Sequence, residues 1–170
     1  MADNGRLYSG FSEGFAKEMT SLCTKADIIV PNITEASLML GLEYKESGYS
    51  EKYIKDMLKG LCDLGAKKAV ITGVSFNDSE SGIMSFNSET NEFFSYFNKK
   101  FKKTFHGTGD IFASTCVGGI TKGFPFEKAL EIAVDFTVES IKETLKDKNS
   151  NWYGVNFETA LPYLINKISE

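Results

Sequence analysis

The stretch Phe105-His106-Gly107-Thr108-Gly109-Asp110 sets two glycines and a carboxylate just before the apolar, helix-periodic run Ile111-Phe112-Ala113-Ser114-Thr115. Gly107 and Gly109 permit backbone angles closed to other residues, so the spacing predicts a turn feeding a helix with helical character from Asp110 onward. A helix starting here directs unpaired N–H groups and the positive end of its dipole outward, an anion site suited to phosphate. Asp110 is the unusual member, because a carboxylate beside an anion hole repels a phosphate at rest. Either Asp110 is a general base that takes a proton from a hydroxyl while the hole stabilises a transferring phosphoryl group, or it is an N-cap carboxylate and nothing more. Spacing leaves both open.

Two other polar clusters fall at comparable places. Asn32 and Glu35 follow the apolar run Ala26 to Val30, which Pro31 closes, and Thr72 with Gly73 ends the run that starts at Lys68. Both lie past the carboxyl ends of expected strands, where open α/β sheets bind ligands. Asn32 and Glu35, three apart at a helix start, suit a hydrated divalent cation, which prefers oxygen ligands; singly, each reads as a cap or a solvated carboxylate. Thr72 suits a phosphate contact, or else is a strand-end hydroxyl. Together, a base, a metal site and phosphate donors describe a phosphotransferase. His106, the one histidine, reads better as a packing residue than as a catalytic one.

The elements that must carry these residues alternate between strand and helix. Met1 to Gly5 reads as a turn on its Asn4-Gly5 dipeptide. Ser12 is a candidate cap for a helix with Phe15, Met19 and Leu22 on one face. Ala26–Val30 and Lys68–Gly73 are short apolar runs of the kind buried on both faces of a parallel sheet. Between them, Thr34 is the candidate cap of a short helix ending at Gly41. Ser50 caps another helix whose stripe is Ile54, Met57, Leu58 and Leu61, with Gly65 at its end. Gly82–Asn87 and Glu92–Phe97, split by a polar turn, predict a hairpin. Small residues after Asp110, Gly118 and Gly119 among them, invite a close helix neighbour. Pro125 suits a helix start, and the apolar stripe from Leu130 to Ile141 predicts a helix packed on the sheet. Asn156 or Thr159 caps a last helix that includes Pro162. Strand–helix alternation of this kind is the pattern of an α/β layered fold.

Composition sets bounds. The 170 residues are enough for one domain with a real core, with 42% apolar and 25% charged residues and a formal net charge of −4. Lys99, Lys100, Lys102 and Lys103 form a short basic patch among aromatics, read as solvated surface, so no nucleic-acid partner is expected. Cys23, Cys62 and Cys116 lack metal spacing and predict reduced thiols in a cytoplasmic protein. The first twenty residues hold no apolar run, which argues against a signal peptide, and no stretch has the length to span a membrane.

The run Phe105 to Ser114 resembles the signature of ribokinase-superfamily kinases. Ile29-Val30-Pro31-Asn32-Ile33-Thr34-Glu35-Ala36 is similar to the superfamily's Asn-x-x-Glu segment in the form found in pyridoxal (vitamin B6) kinases. Met1 to Tyr8 resembles the tail of the pyridoxal-kinase segment Asp-Pro-Val-Met-Gly-Asp-x-Gly-x-Leu-Tyr, and Asn151-Trp152-Tyr153-Gly154-Val155 is similar to bacterial pyridoxal and pyridoxamine kinases. The resemblance implies a ribokinase-like three-layer α/β/α fold with a mostly parallel sheet and an antiparallel edge hairpin, lacking the amino-terminal strands. It implies that residues 1–170 form one domain, the nucleotide-binding and catalytic half of such a kinase. Asp110 would be the base. The N–H groups of Gly107, Thr108, Gly109 and Asp110 would form the anion hole at the γ-phosphate. Asn32 and Glu35 would position Mg2+ largely through water, while Asp3 would face the metal and phosphates and Thr72 would touch the ATP phosphates. ATP as phosphoryl donor, Mg2+, in many members a monovalent cation such as K+, a B6 vitamer as acceptor and a cytoplasmic homodimer complete the implied picture. Val30 departs from the threonine that pyridoxal kinases often carry there. The alternatives are a related kinase for hydroxymethylpyrimidine, a sugar or a nucleoside, or an inactive fragment that only binds nucleotide or self-associates.

Overall fold

A computed structural model describes residues 1–151 and 153–169; Trp152, part of the last resembling segment, lies outside the described residues. Two compact units follow one another along the chain, Met1–Ser95 and Tyr96–Glu170.

The first unit opens on a miniature hairpin, β1 (Ala2–Asp3) against β2 (Arg6–Leu7), with Ala2 opposite Leu7. Its turn residues Asn4 and Gly5 have φ of 50° and 74°, the paired positive values of a type I′ turn, for which Asn-Gly is the favoured dipeptide. The expected turn is therefore there, and it is flanked by strands. Helix α1 (Glu13–Cys23) starts where expected, with Ser12 Oγ accepting the Phe15 N–H. Its apolar stripe is not a core face in this unit: Phe15 and Leu22 are exposed and only Ala16 is buried, α1 meeting α2.

The four-stranded sheet runs in the order β3-β4-β5-β6. Strand β3 (Ile28–Ile29), shorter than the apolar run around it, is parallel to β4 (Lys68–Val74), and β4 is antiparallel to β5 (Glu80–Asn87). Strand β6 (Glu92–Lys99) neighbours β5, so the expected edge hairpin forms. Helices α2 (Ile33–Leu40) and α3 (Glu51–Asp63) separate β3 from β4. The α3 stripe is the core of this unit: Ile54, Met57, Leu58 and Leu61 are all buried, and α3 contacts β4 and β5, where Val70, Ile71, Ile83 and Met84 are buried. Gly65 ends α3 at φ 134°, where a Cβ would lie 2.6 Å from the Thr24 carbonyl oxygen.

The second unit holds α4 (Thr108–Lys122), α5 (Phe126–Lys146) and α6 (Phe157–Ser169). Helix α5 contacts both α4 and α6. The small-residue expectation holds at one of two glycines: a Cβ on Gly119 would lie 3.0 Å from the Ala129 Cβ, whereas Gly118 faces open space. Asp135 on α5 accepts from the Tyr96 hydroxyl (3.0 Å) and from Asn98 Nδ2 (2.8 Å) through the same oxygen. Burial, then the hydrogen bond to Asp135, pushes the Tyr96 phenol up to about 12. All three cysteines are free thiols, and burial pushes Cys116 up to about 11. Among the described residues no helix is long and apolar enough to cross a membrane.

Candidate active site

In the first unit the polar residues gather at the carboxyl ends of β3 and β4. The chain leaves β3, passes the buried Pro31, and turns into α2. Asn32, not Thr34, caps that helix. Its Oδ1 accepts the Glu35 N–H at 2.9 Å, and Glu35 Oε2 accepts the Asn32 N–H at 3.1 Å, a reciprocal capping box. Asn32 wins because a residue in the extended region just before the helix brings its side chain to the third N–H; Thr34 is already inside. Glu35 Oε1 also accepts from the Met1 ammonium at 2.7 Å. The Asn32 Nδ2 donates to the Ala2 carbonyl at 2.8 Å, so the capping residue also holds β1.

Thr72 sits beside these groups. Its N–H donates to the Pro31 carbonyl at 3.0 Å, and Asn32 and Thr72 form an isolated parallel bridge. Gly73 follows at φ 74°, at a register irregularity between Thr72 and Val74, with no heavy atom within 4 Å of where its Cβ would be. The strand end is thus stripped of side-chain bulk beside Thr72. Asp3 is partly exposed, its carboxylate accepting the Asn4 N–H (2.9 Å) and Asn4 Nδ2 (3.3 Å). The first unit therefore brings Asp3, Asn32, Glu35 and Thr72 to one end of its strands.

In the second unit the glycine turn makes the helix start two residues earlier than the periodicity predicts. Gly107 is the N-cap of α4 at φ 80°, and no side chain caps it. Asp110 is consequently the third residue of the helix and not its cap, which removes the capping explanation for its carboxylate. The first-turn N–H groups of Thr108, Gly109 and Asp110 precede the first intrahelical bond, from Ile111 N–H to the Gly107 carbonyl at 3.1 Å. A Cβ on Gly109 would meet nothing within 4 Å, so the face of this turn is open. Asp110 is exposed, and among the described residues its side chain makes no hydrogen bond or ion pair. Thr108 Oγ1 donates to the Phe105 carbonyl at 3.2 Å and braces the turn. Because Gly107 needs a left-handed backbone, Gly107→Ala is expected to destabilise the second unit by about 1–2 kcal/mol, read as an earlier urea midpoint.

The side-chain oxygens of Asp3, Asn32, Glu35 and Thr72 are of the type a hydrated divalent cation prefers. Those of Asp3, Asn32 and Glu35 already accept hydrogen bonds from the chain, and among the described residues no three His, Cys, Asp or Glu side chains cluster as a metal cage. Two contacts had no sequence signal: the Thr34 hydroxyl, picked out only as a candidate cap, and the Tyr44 ring reach the β1–β2 turn across 29 and 39 residues of chain.

Residues 10–153 match the family model of phosphomethylpyrimidine kinase. A hydroxymethylpyrimidine/phosphomethylpyrimidine kinase from Staphylococcus aureus (strain Mu50) is 32% identical over 73% of this chain and 44% of its own length. The pyridoxal kinase of Dictyostelium discoideum is 27% identical over 88% of this chain and 51% of its own. Among solved structures, a Bacteroides thetaiotaomicron protein provisionally named a phosphomethylpyrimidine kinase, crystallised with pyridoxal, superposes with a TM-score of 0.90 at 32% identity, covering 97% of this chain and 58% of that one. The chain spans about half the length of the curated relatives it matches.

Proposed function

Because the chain belongs to the phosphomethylpyrimidine kinase family, we propose that it is the nucleotide-binding and catalytic half of a kinase that uses ATP to phosphorylate the 5′-hydroxymethyl group of a vitamin B6 vitamer. The observation that carries this reading is the start of α4, an uncapped helix end opened by Gly107 with an exposed carboxylate in its first turn.

The chemistry assigned to the chain's own residues is as follows. The N–H groups of Gly107, Thr108, Gly109 and Asp110 hold the γ-phosphoryl oxygens, where negative charge builds as the group transfers. The Asp110 carboxylate accepts the proton of the attacking hydroxymethyl group, whose oxygen bonds to the γ-phosphorus as the bond to the β–γ bridging oxygen breaks and ADP leaves with that electron pair. Asp3 and Thr72 face the phosphates, Thr72 next to the unobstructed Gly73. Asn32 and Glu35 position Mg2+ through water; when bound, the cation neutralises phosphate charge. A monovalent cation such as K+, a homodimer and a cytoplasmic setting belong to the same reading.

Support for a B6 vitamer comes from the relatives named pyridoxal kinase and from pyridoxal in the Bacteroides crystals. The family model and the Staphylococcus relative favour a second reading, a hydroxymethylpyrimidine acceptor. Both acceptors present a hydroxymethyl group on a heteroaromatic ring. ATP turnover measured with pyridoxal, pyridoxamine, hydroxymethylpyrimidine and ribose separates them. The expected order puts pyridoxal or pyridoxamine first; preference for hydroxymethylpyrimidine overturns the B6 assignment alone. Preference for ribose overturns the heteroaromatic acceptor, and failure to bind ATP overturns the kinase reading.

A further inference from the structure

The Thr34 hydroxyl has no capping duty, since Asn32 caps α2, yet Thr34 is only 3% exposed and its Oγ1 accepts the Gly5 N–H at 3.0 Å. Burying a hydroxyl without a partner is costly; here one partner is a backbone group 29 residues away, at the tip of the β1–β2 hairpin, and the Tyr44 side chain is another. The same tip is also held by Tyr44: a Cβ on Gly5 would lie 2.6 Å from Tyr44 Cδ1, so the ring lies against the glycine backbone. The hairpin's other end is held by the fully buried Ala2, whose carbonyl accepts from Asn32 Nδ2. Asp3 lies between these two anchors. Its carboxylate is aimed by the turn itself, because both of its oxygens accept from Asn4, the residue between Asp3 and Gly5.

We propose that Thr34 is a positioning residue for Asp3: its hydroxyl pins the Asn4-Gly5 turn onto α2 and so fixes where the Asp3 carboxylate meets the metal-bound phosphates. This rests on the role given to Asp3 above. It differs from that role in naming a residue that touches neither nucleotide nor metal and acts through the hairpin.

The test uses two readouts that do not need turnover: the exchange rate of the Gly5 amide hydrogen by NMR, and calorimetric affinity for the ATP analogue AMP-PCP with and without Mg2+. Thr34→Val keeps the shape and removes the acceptor. It is expected to speed Gly5 exchange and to weaken Mg2+-dependent affinity about three- to tenfold, the scale of one lost hydrogen bond. Thr34→Ser keeps the hydroxyl and is expected to stay within about twofold of the unsubstituted chain on that same scale. Asp3→Asn is expected to weaken Mg2+-dependent affinity by itself, and Thr34→Val added to it should cost nothing more. Tyr44→Leu removes the ring from the turn and a hydrogen-bond partner from Thr34, and should reproduce the loss, which keeps the idea exposed if the valine variant does not fold. If Asp3→Asn weakens binding while Thr34→Val and Tyr44→Leu do not, or if the Asp3 and Thr34 effects add, the positioning role is overturned. If Asp3→Asn has no effect, the assignment of Asp3 under the proposed function falls, and the positioning role with it.

Discussion

In the full-length enzyme, Asp110→Asn is expected to lower turnover about 10²–10⁴-fold, the usual worth of a positioned general base, while ATP affinity stays close to that of the unsubstituted enzyme. The asparagine keeps the size and hydrogen-bonding reach of the side chain and loses only the ability to take a proton. Asp110 stands third in α4 and is exposed, so the fold does not lean on it. Removing a negative charge beside a phosphate site should, if anything, tighten nucleotide binding. Steady-state kinetics with ATP and pyridoxal, paired with calorimetric ATP binding, read the two quantities separately. A variant that loses ATP affinity with its fold intact would show that the carboxylate serves binding and not proton transfer.

Leu58→Ala is expected to cost about 2–5 kcal/mol of stability, the range for emptying a fully buried leucine site. Leu58 is 0% exposed, at the middle of the α3 stripe between Met57 and Leu61. Its neighbours on β4 and β5 belong to the same core, so collapse around the void would pull on the strand whose far end carries Thr72. Leu42→Ala is the control, since Leu42 is 45% exposed and lies beyond the end of α2; its cost should stay within about 0.5 kcal/mol. Urea denaturation of the two variants side by side gives the comparison.

Where local rules govern, the sequence was readable. The α3 stripe repeats at helical spacing, and Ser50 accepts the Tyr53 N–H as a cap should. The Asn-Gly turn and the β5–β6 hairpin likewise follow from their own residues. At α2 two candidate caps stood two residues apart; Asn32 with Glu35 three residues on is itself a capping-box spacing, and the structure realises it. The start of α4 was set by the left-handed Gly107, which periodicity of apolar residues does not register. The α1 stripe was legible as a pattern but not as burial: Leu22 is 61% exposed, and the residue of α1 that is buried is Ala16, outside the stripe. Within the candidate site the polar groups stood out by type, while their holders did not. Thr34 and Tyr44 look ordinary in the chain and matter only once folding lays the β1–β2 turn across them.

The contact between Gly119 and Ala129 has a mechanical consequence. It lies near the far end of α4, eleven residues from Thr108, a lever arm of roughly 16 Å along a stiff rod. There is no slack at that fulcrum, since even one added methyl would sit 3.0 Å from its neighbour. Bulk gained at Gly119 has to be absorbed by a shift of a few tenths of an ångström between α4 and α5, and any part of it taken up as a tilt of the rod reaches the opposite tip. On the proposed function, a change at this helix crossing would reach the anion hole from outside it.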